Sequence, residues 1–199
     1  MSLELIVGCM FSGKTSEIIK LVNRLSVIEK NILLINSKLD ERYDTGKICS
    51  HNKNKLDCIC VNKLDEIPTN KYTECEYIIV DEGQFFEDLF DFVTTATDLN
   101  DKHVIVVGLN GDSNRENFGD IYKLYPLADK INLLTAMCIK CKNGTPGIFS
   151  KKITNDTNQT DTNQTGVTDT AVTHLGSILI KDTEYVIFTK DTTNVFRHV

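Results

Sequence analysis

The stretch "GCMFSGKT", Gly8 to Thr15, stands between the apolar run "LELIV" (3–7) and the amphipathic run "TSEIIKLVNRLSVIEK" (15–30). Its glycines, followed by lysine and a hydroxyl residue, satisfy G-x-x-x-x-G-K-[ST] with a strand before and a helix after. Such a loop curls so that successive N–H groups point at phosphate oxygens, and the helix N-terminus adds its positive end. Gly8, Cys9, Met10, Phe11, Ser12, Gly13, Lys14 and Thr15 are therefore read as the triphosphate cradle. Lys14 would reach the β- and γ-phosphates, and the Thr15 hydroxyl would ligate Mg²⁺. What the loop leaves open is the acceptor, water or a second substrate.

Outward from the loop, Ile18, Leu21, Val22 and Leu25 share one helix face. "ILLIN" (32–36), "CICV" (58–61), "YIIV" (77–80) and "VIVVG" (104–108) are near-continuous apolar runs, which suit a parallel sheet covered on both faces. "FEDLFDFVTTATDL" (86–99) and "IYKLYPLA" (121–128) read as helical. The expectation is an α/β fold: a three-layer P-loop domain of RecA-like type over residues 1–135. A small β domain over 136–199 follows, holding "GIFSKK" and the hairpin "SILIKDTEYVIFT" (177–189). Between these lies a Thr/Asn-rich stretch, 154–173, in which "DTNQT" repeats in tandem; it is too polar to bury itself and reads as a disordered insertion.

Composition narrows the function. The chain has 199 residues, 41% hydrophobic and 25% charged, with a net charge of −6. No broad basic face is available to follow a nucleic-acid backbone. No apolar run reaches membrane-span length, and no leader precedes the loop, so the reading is cytoplasmic, with no membrane partner. Seven cysteines in such a chain point to metal ligation or reduced packing rather than a disulfide framework.

"YIIVDEGQFF" supplies the acidic half of the site. An apolar strand ending in Asp81 is where a carboxylate sits over the metal, and Glu82 is placed to take a proton from whatever attacks the γ-phosphate. "NKLD" (62–65) imitates a guanine-recognition element. It precedes Asp81 instead of following it, and Gln84 stands where D-x-x-G needs glycine. It is read as a strand-to-helix connection, with Asp65 capping.

The ordered series "GCMFSGKT", "DEGQFF", "LNGDSNRENFG", "PLAD", "CIKC" and "EYVIF" closely resembles the cellular and poxviral thymidine kinases. The resemblance implies ATP and Mg²⁺ as cofactors and thymidine as acceptor. Gly8 to Thr15, with Gly83 and Gln84 nearby, would serve nucleotide binding. Asp81 would assist Mg²⁺, and Glu82 would deprotonate the nucleoside 5′-hydroxyl. "LDERYDT" matches a D-x-R-[YF] element, placing Asp40 and Arg42 near the phosphates. Met10, Phe85, Leu109 and Phe118 match positions walling the thymine pocket, Ser150 a hydroxyl bonding the base, and Tyr185 the tyrosine of a lasso that closes over the nucleoside. A homotetramer, feedback inhibition by thymidine triphosphate and a zinc-ribbon-like lasso domain are further implications.

The pattern departs at the zinc site. Family members hold a structural Zn²⁺ with two C-x-x-C pairs; Cys138 and Cys141 form the first, whereas Thr189 and Thr192 occupy the second. His174, His198, Cys58 or Cys60 would have to complete it, and loss of zinc is the favoured expectation. Ser113 stands where the family often has an aromatic residue of the nucleoside pocket, and Ile180 and Lys181 replace glycines unless Gly176 takes over in a shifted alignment; both leave open a wider specificity such as deoxyuridine. Two other readings stand beside the kinase: a RecA-like ATPase in which Glu82 activates water, and an inactive homologue acting as a binding module.

Overall fold

The computed structural model describes residues 1–40, 47–49, 55–138, 141–153, 178–180 and 183–188. Side chains are described for all of these except 47–49, 55, 152–153, 178–180 and 183–188. In chain order the elements are β1 (Ser2–Gly8), α1 (Lys14–Val27), β2 (Ile32–Ser37), the antiparallel pair β3 (Lys47–Cys49) and β4 (Lys55–Asp57), β5 (Ile59–Val61), α2 (Thr69–Glu74) and β6 (Tyr77–Val80). There follow α3 (Leu89–Thr94), β7 (His103–Gly108), β8 (Lys130–Leu134), β9 (Ala136–Met137), β10 (Pro146–Gly147), β11 (Phe149–Ile153), β12 (Ile178–Ile180) and β13 (Thr183–Phe188).

Six strands form one parallel sheet in the order β5-β2-β6-β7-β1-β8. Alternation along β1 explains the layers. Leu3, Leu5 and Val7 join Ile35, Ile78, Val80, Val104 and Val106 beneath Phe86, Leu89, Val93 and Leu124. Ile6, one residue out of phase, joins Leu34, Ile79, Ile105 and Val107 beneath Ile18 of α1. Each side chain fully buried in this way stabilises the fold by roughly 1.5–3 kcal/mol. Burial on both faces is why these strands read as unbroken apolar runs.

The α/β expectation holds, with local corrections. The helix expected over 86–99 is α-helical at 89–94 and widens into a π-turn at 95–99. The segment 121–127 is wound as a tighter 3-10 helix containing Pro126, which has no N–H to give an α-helical ladder. Asp65 caps nothing with its side chain; the Glu66 carboxylate accepts the Asn62 N–H at 3.2 Å. Beyond the main sheet, β10 pairs with β9, and β13 lies between β11 and β12, all antiparallel. The expected hairpin is thus β12–β13, with Ile178 opposite Tyr185 and Ile180 opposite Thr183. Arg42, His174, Thr189, Thr192, His198 and the 154–173 stretch lie outside the described residues.

Candidate active site

The site forms at the carboxyl ends of the parallel strands, where α/β sheets place their ligands. β1 ends at Gly8, and the loop then turns sharply: Phe11 has φ 60° and Gly13 φ 89° before α1 begins at Lys14. Phe11 is a bulky residue in a region its kind seldom occupies, whereas glycine at 13 takes that conformation at little cost. Lys14 folds back over the loop, its Nζ donating to the carbonyls of Gly8 (3.2 Å) and Cys9 (2.8 Å). Ser12 Oγ is buried with no hydrogen-bond partner among the described residues. An orphaned hydroxyl costs about 1–3 kcal/mol, and an anion oxygen in the loop would satisfy it.

One strand, β7, separates the loop's strand from β6, which carries the carboxylates. Asp81 is buried; its N–H donates to Ile35 at 2.9 Å and its Oδ1 accepts the Glu82 N–H at 2.9 Å. Glu82 is buried too and left-handed, with φ 52°, a conformation non-glycine residues adopt chiefly where the surroundings impose it. The Glu82 carboxylate is held by Gln84. Its Nε2 donates to Glu82 Oε2 at 2.5 Å, and its Oε1 accepts the Leu109 N–H at 3.1 Å. A carboxylate only accepts and an amide N–H only donates, so one amide orientation satisfies both contacts. Gln84, expected among the nucleotide-binding residues, is therefore a brace between Glu82 and the end of β7.

Gly119 (φ +59°) sits against that brace, and a Cβ there would collide with the carbonyl oxygen of Gln84. Gly119→Ala is expected to lower stability by about 1–3 kcal/mol and to disturb Glu82 with it. Thermal denaturation read beside turnover checks this; an unchanged midpoint with full activity would refute it.

The residues expected to wall a pocket fall into two contacting groups. Met10 is buried with Cys9 and Ala136, and Phe11 and Leu109 pack on them. Phe85 meets Phe118 edge to face, with centroids 5.6 Å apart. Leu109 and Phe118 line a cleft of about 280 Å³ with Asn110, Asn117, Ile121, Tyr122 and Tyr125. The last five were not singled out from sequence, although Asn110 and Asn117 lie within "LNGDSNRENFG". Asp112 shapes that loop by accepting the N–H groups of Asn114 and Glu116, each at 2.8 Å.

Ser150, expected to bond a base, accepts the Met10 N–H at 2.9 Å and is buried. Beside it, the Cys9 thiol donates to the Gly147 carbonyl at 3.2 Å, and burial pushes that thiol's pKa up. Two loop residues are thereby tied to β10 and β11. Asp40 accepts from Asn36 Nδ2 at 3.2 Å beside the end of β2. Tyr185 is placed only by its backbone in β13.

Cys141 donates its N–H to Cys138 Sγ at 3.4 Å. Among the described residues no third His, Cys, Asp or Glu joins them in a metal-binding group. These two sulfurs are half the donors a structural zinc takes, so the described residues do not make a zinc site. The donors for a harder ion are different: the Thr15 hydroxyl and the Asp81 carboxylate are oxygen ligands of the kind Mg²⁺ accepts. No helix among the described residues is long and apolar enough to cross a membrane.

Comparison with known proteins follows the same lines. The thymidine kinase of fowlpox virus is 36% identical over 159 residues, covering 78% of this chain and 85% of the viral protein. That of Yaba monkey tumor virus is 38% identical over 154 residues, 77% of this chain and 82% of its own length. The rice enzyme (Oryza sativa subsp. japonica), also named thymidine kinase, is 36% identical over 160 residues; the match spans 78% of this chain but only 58% of the rice protein. A family model described as thymidine kinase matches residues 1–172, a span holding the loop, both carboxylates, the cleft and the Cys138–Cys141 pair. The chain therefore belongs to the thymidine kinase family, whose chemistry is phosphoryl transfer from ATP.

Proposed function

We propose that the chain transfers the γ-phosphate of ATP to the 5′-hydroxyl of thymidine, giving thymidine monophosphate. The observation that carries this is the brace. Glu82 is buried in a left-handed turn, and its carboxylate is held by an amide whose oxygen accepts the N–H of Leu109, a residue that lines the cleft. A carboxylate fixed between a phosphate loop and a cleft of nucleoside dimensions suits deprotonation of a bound alcohol.

In this reading the topology is RecA-like, one strand standing between the loop strand and the carboxylate strand. The N–H groups of Gly8 to Thr15 hold the triphosphate, and Lys14 exchanges its loop carbonyls for phosphate oxygens. Thr15 and Asp81 would hold Mg²⁺, which would supply positive charge against the phosphates. Asp40 and Arg42 add to the phosphate end. Glu82 takes the proton of the 5′-hydroxyl as its oxygen attacks phosphorus in line. Phe118, Leu109, Met10 and Phe85 wall the base, Ser150 still has a hydroxyl proton to give, and Tyr185 belongs to a lasso formed by residues 136–199. A cytoplasmic homotetramer subject to feedback by thymidine triphosphate completes the proposal. The exposed Ile131, Leu133 and Met137 on and beside edge strand β8 supply apolar surface for assembly.

The test is product analysis with ATP, Mg²⁺ and thymidine, deoxyuridine or deoxycytidine, beside a control lacking nucleoside. Thymidine monophosphate, made faster than the other two products, is the expected outcome. ATP hydrolysis that needs no nucleoside would replace the kinase with an ATPase, and silence throughout would leave a binding module.

A further inference from the structure

Cys58 and Cys60 play no part in the mechanism above, yet they flank its acidic end. Their sulfurs are 3.7 Å apart, in van der Waals contact, and both residues are only half-buried. Cys60 is the middle residue of β5 and Cys58 stands just before it; β5 is the edge strand of the sheet, so nothing pairs with its outer side among the described strands. Cys60 is in register with Asn36 of β2, the residue whose amide donates to Asp40. Cys58 packs on the same sheet face as Ile79, two residues before Asp81.

We propose that Cys58 and Cys60 are a reversible oxidation site, closed to a disulfide by a peroxide, and that closure slows phosphoryl transfer. The chemistry balances without another reactant. One thiolate attacks a peroxide oxygen, and its sulfur is oxidised to a sulfenic acid as the O–O bond is reduced and water leaves. The second thiol then attacks that sulfur, the S–S bond forms, and a second water carries off the hydroxyl. Burial, then the adjacent Cys60 sulfur, then the carboxylates of Asp81 and Asp40, hold the Cys58 thiol well above its ordinary pKa. Either thiol can react first, and the sulfur beside it then resolves the sulfenic acid.

Closing the bond brings the sulfurs from contact to about 2.0 Å. That movement pulls Cys60 along the edge of β2, against Asn36 and so against Asp40. The modification itself stands on the sulfur contact; its effect on rate rests on the phosphotransferase reading given above.

Trypsin releases residues 56–63 ("LDCICVNK") as one peptide holding both cysteines. After hydrogen peroxide and iodoacetamide, that peptide should be two hydrogens lighter and unalkylated, and dithiothreitol should restore double alkylation. A doubly alkylated peptide, or cysteines oxidised singly without a bridge, would overturn the site. In parallel, peroxide should lower the rate with MgATP and thymidine by about tenfold, reversibly. Cys58→Ser should keep the reduced rate and lose that reversible inhibition. If it loses the rate itself through misfolding, phenylarsine oxide on the unmodified chain gives the same reading, since it bridges paired thiols. A bridged peptide with unchanged rate would overturn the regulatory half. A reduced protein that never phosphorylates thymidine would instead count against the kinase, with the peptide result unaffected.

Discussion

Glu82→Gln is expected to lower kcat for thymidine phosphorylation by about 10²–10⁴-fold, with little change in the KM for ATP. The substitution is close to isosteric, and its remaining side-chain oxygen can still accept the Gln84 amide that holds residue 82. The left-handed backbone, the buried position and the Leu109 contact of Gln84 therefore persist. What disappears is the capacity to take a proton. Steady-state kinetics separate this from collapse of the site, because a disordered loop would raise the ATP KM as well. A variant with more than a tenth of the parent kcat would remove Glu82 from the role of base.

Lys14→Ala should cost about 10²–10³-fold in kcat/KM, and here both ATP affinity and kcat should fall. The ammonium that bridges the Gly8 and Cys9 carbonyls is the one cation on the loop itself, so its loss leaves the loop's own hold on phosphate to its backbone N–H groups. Lys14→Arg should not rescue, since a planar guanidinium cannot occupy the compact space between those two carbonyls. Titration with a fluorescent ATP analogue and single-turnover rates, measured on both variants, would settle it. Full rescue by arginine would show that position 14 supplies only long-range charge.

The contrast between these two residues and Gln84 shows what a sequence can carry. Lys14 is legible because its spacing from Gly8 and Gly13 is local: the chain makes the loop within eight residues. Asp81 and Glu82 are legible because an apolar run ending in acids has few other uses. The bracing role of Gln84 is not, because it depends on Leu109, twenty-five positions away and delivered by the pairing of β6 with β7. The same holds for Ser150, whose partner Met10 is 140 residues distant. The strands were readable because both faces are buried. Strand β8, half exposed with the pattern "KINLL", lacked the apolar run that marked the others. The tight winding at 121–127 followed from Pro126, which interrupts the α-helical ladder while leaving the apolar period that suggested a helix.

The two bonds tying the loop to β10 and β11, from Cys9 Sγ and Met10 N–H, carry a further consequence. Those bonds couple the ordering of the loop to the ordering of β10 and β11. Linkage then makes the effect symmetrical: whatever factor a bound triphosphate adds to the fixing of β11, a ligand fixing β11 adds to the hold on the triphosphate. The order in which two ligands arrive can differ, but the product of their affinities cannot, and a substitution at Ser150 would be felt by a molecule it never touches.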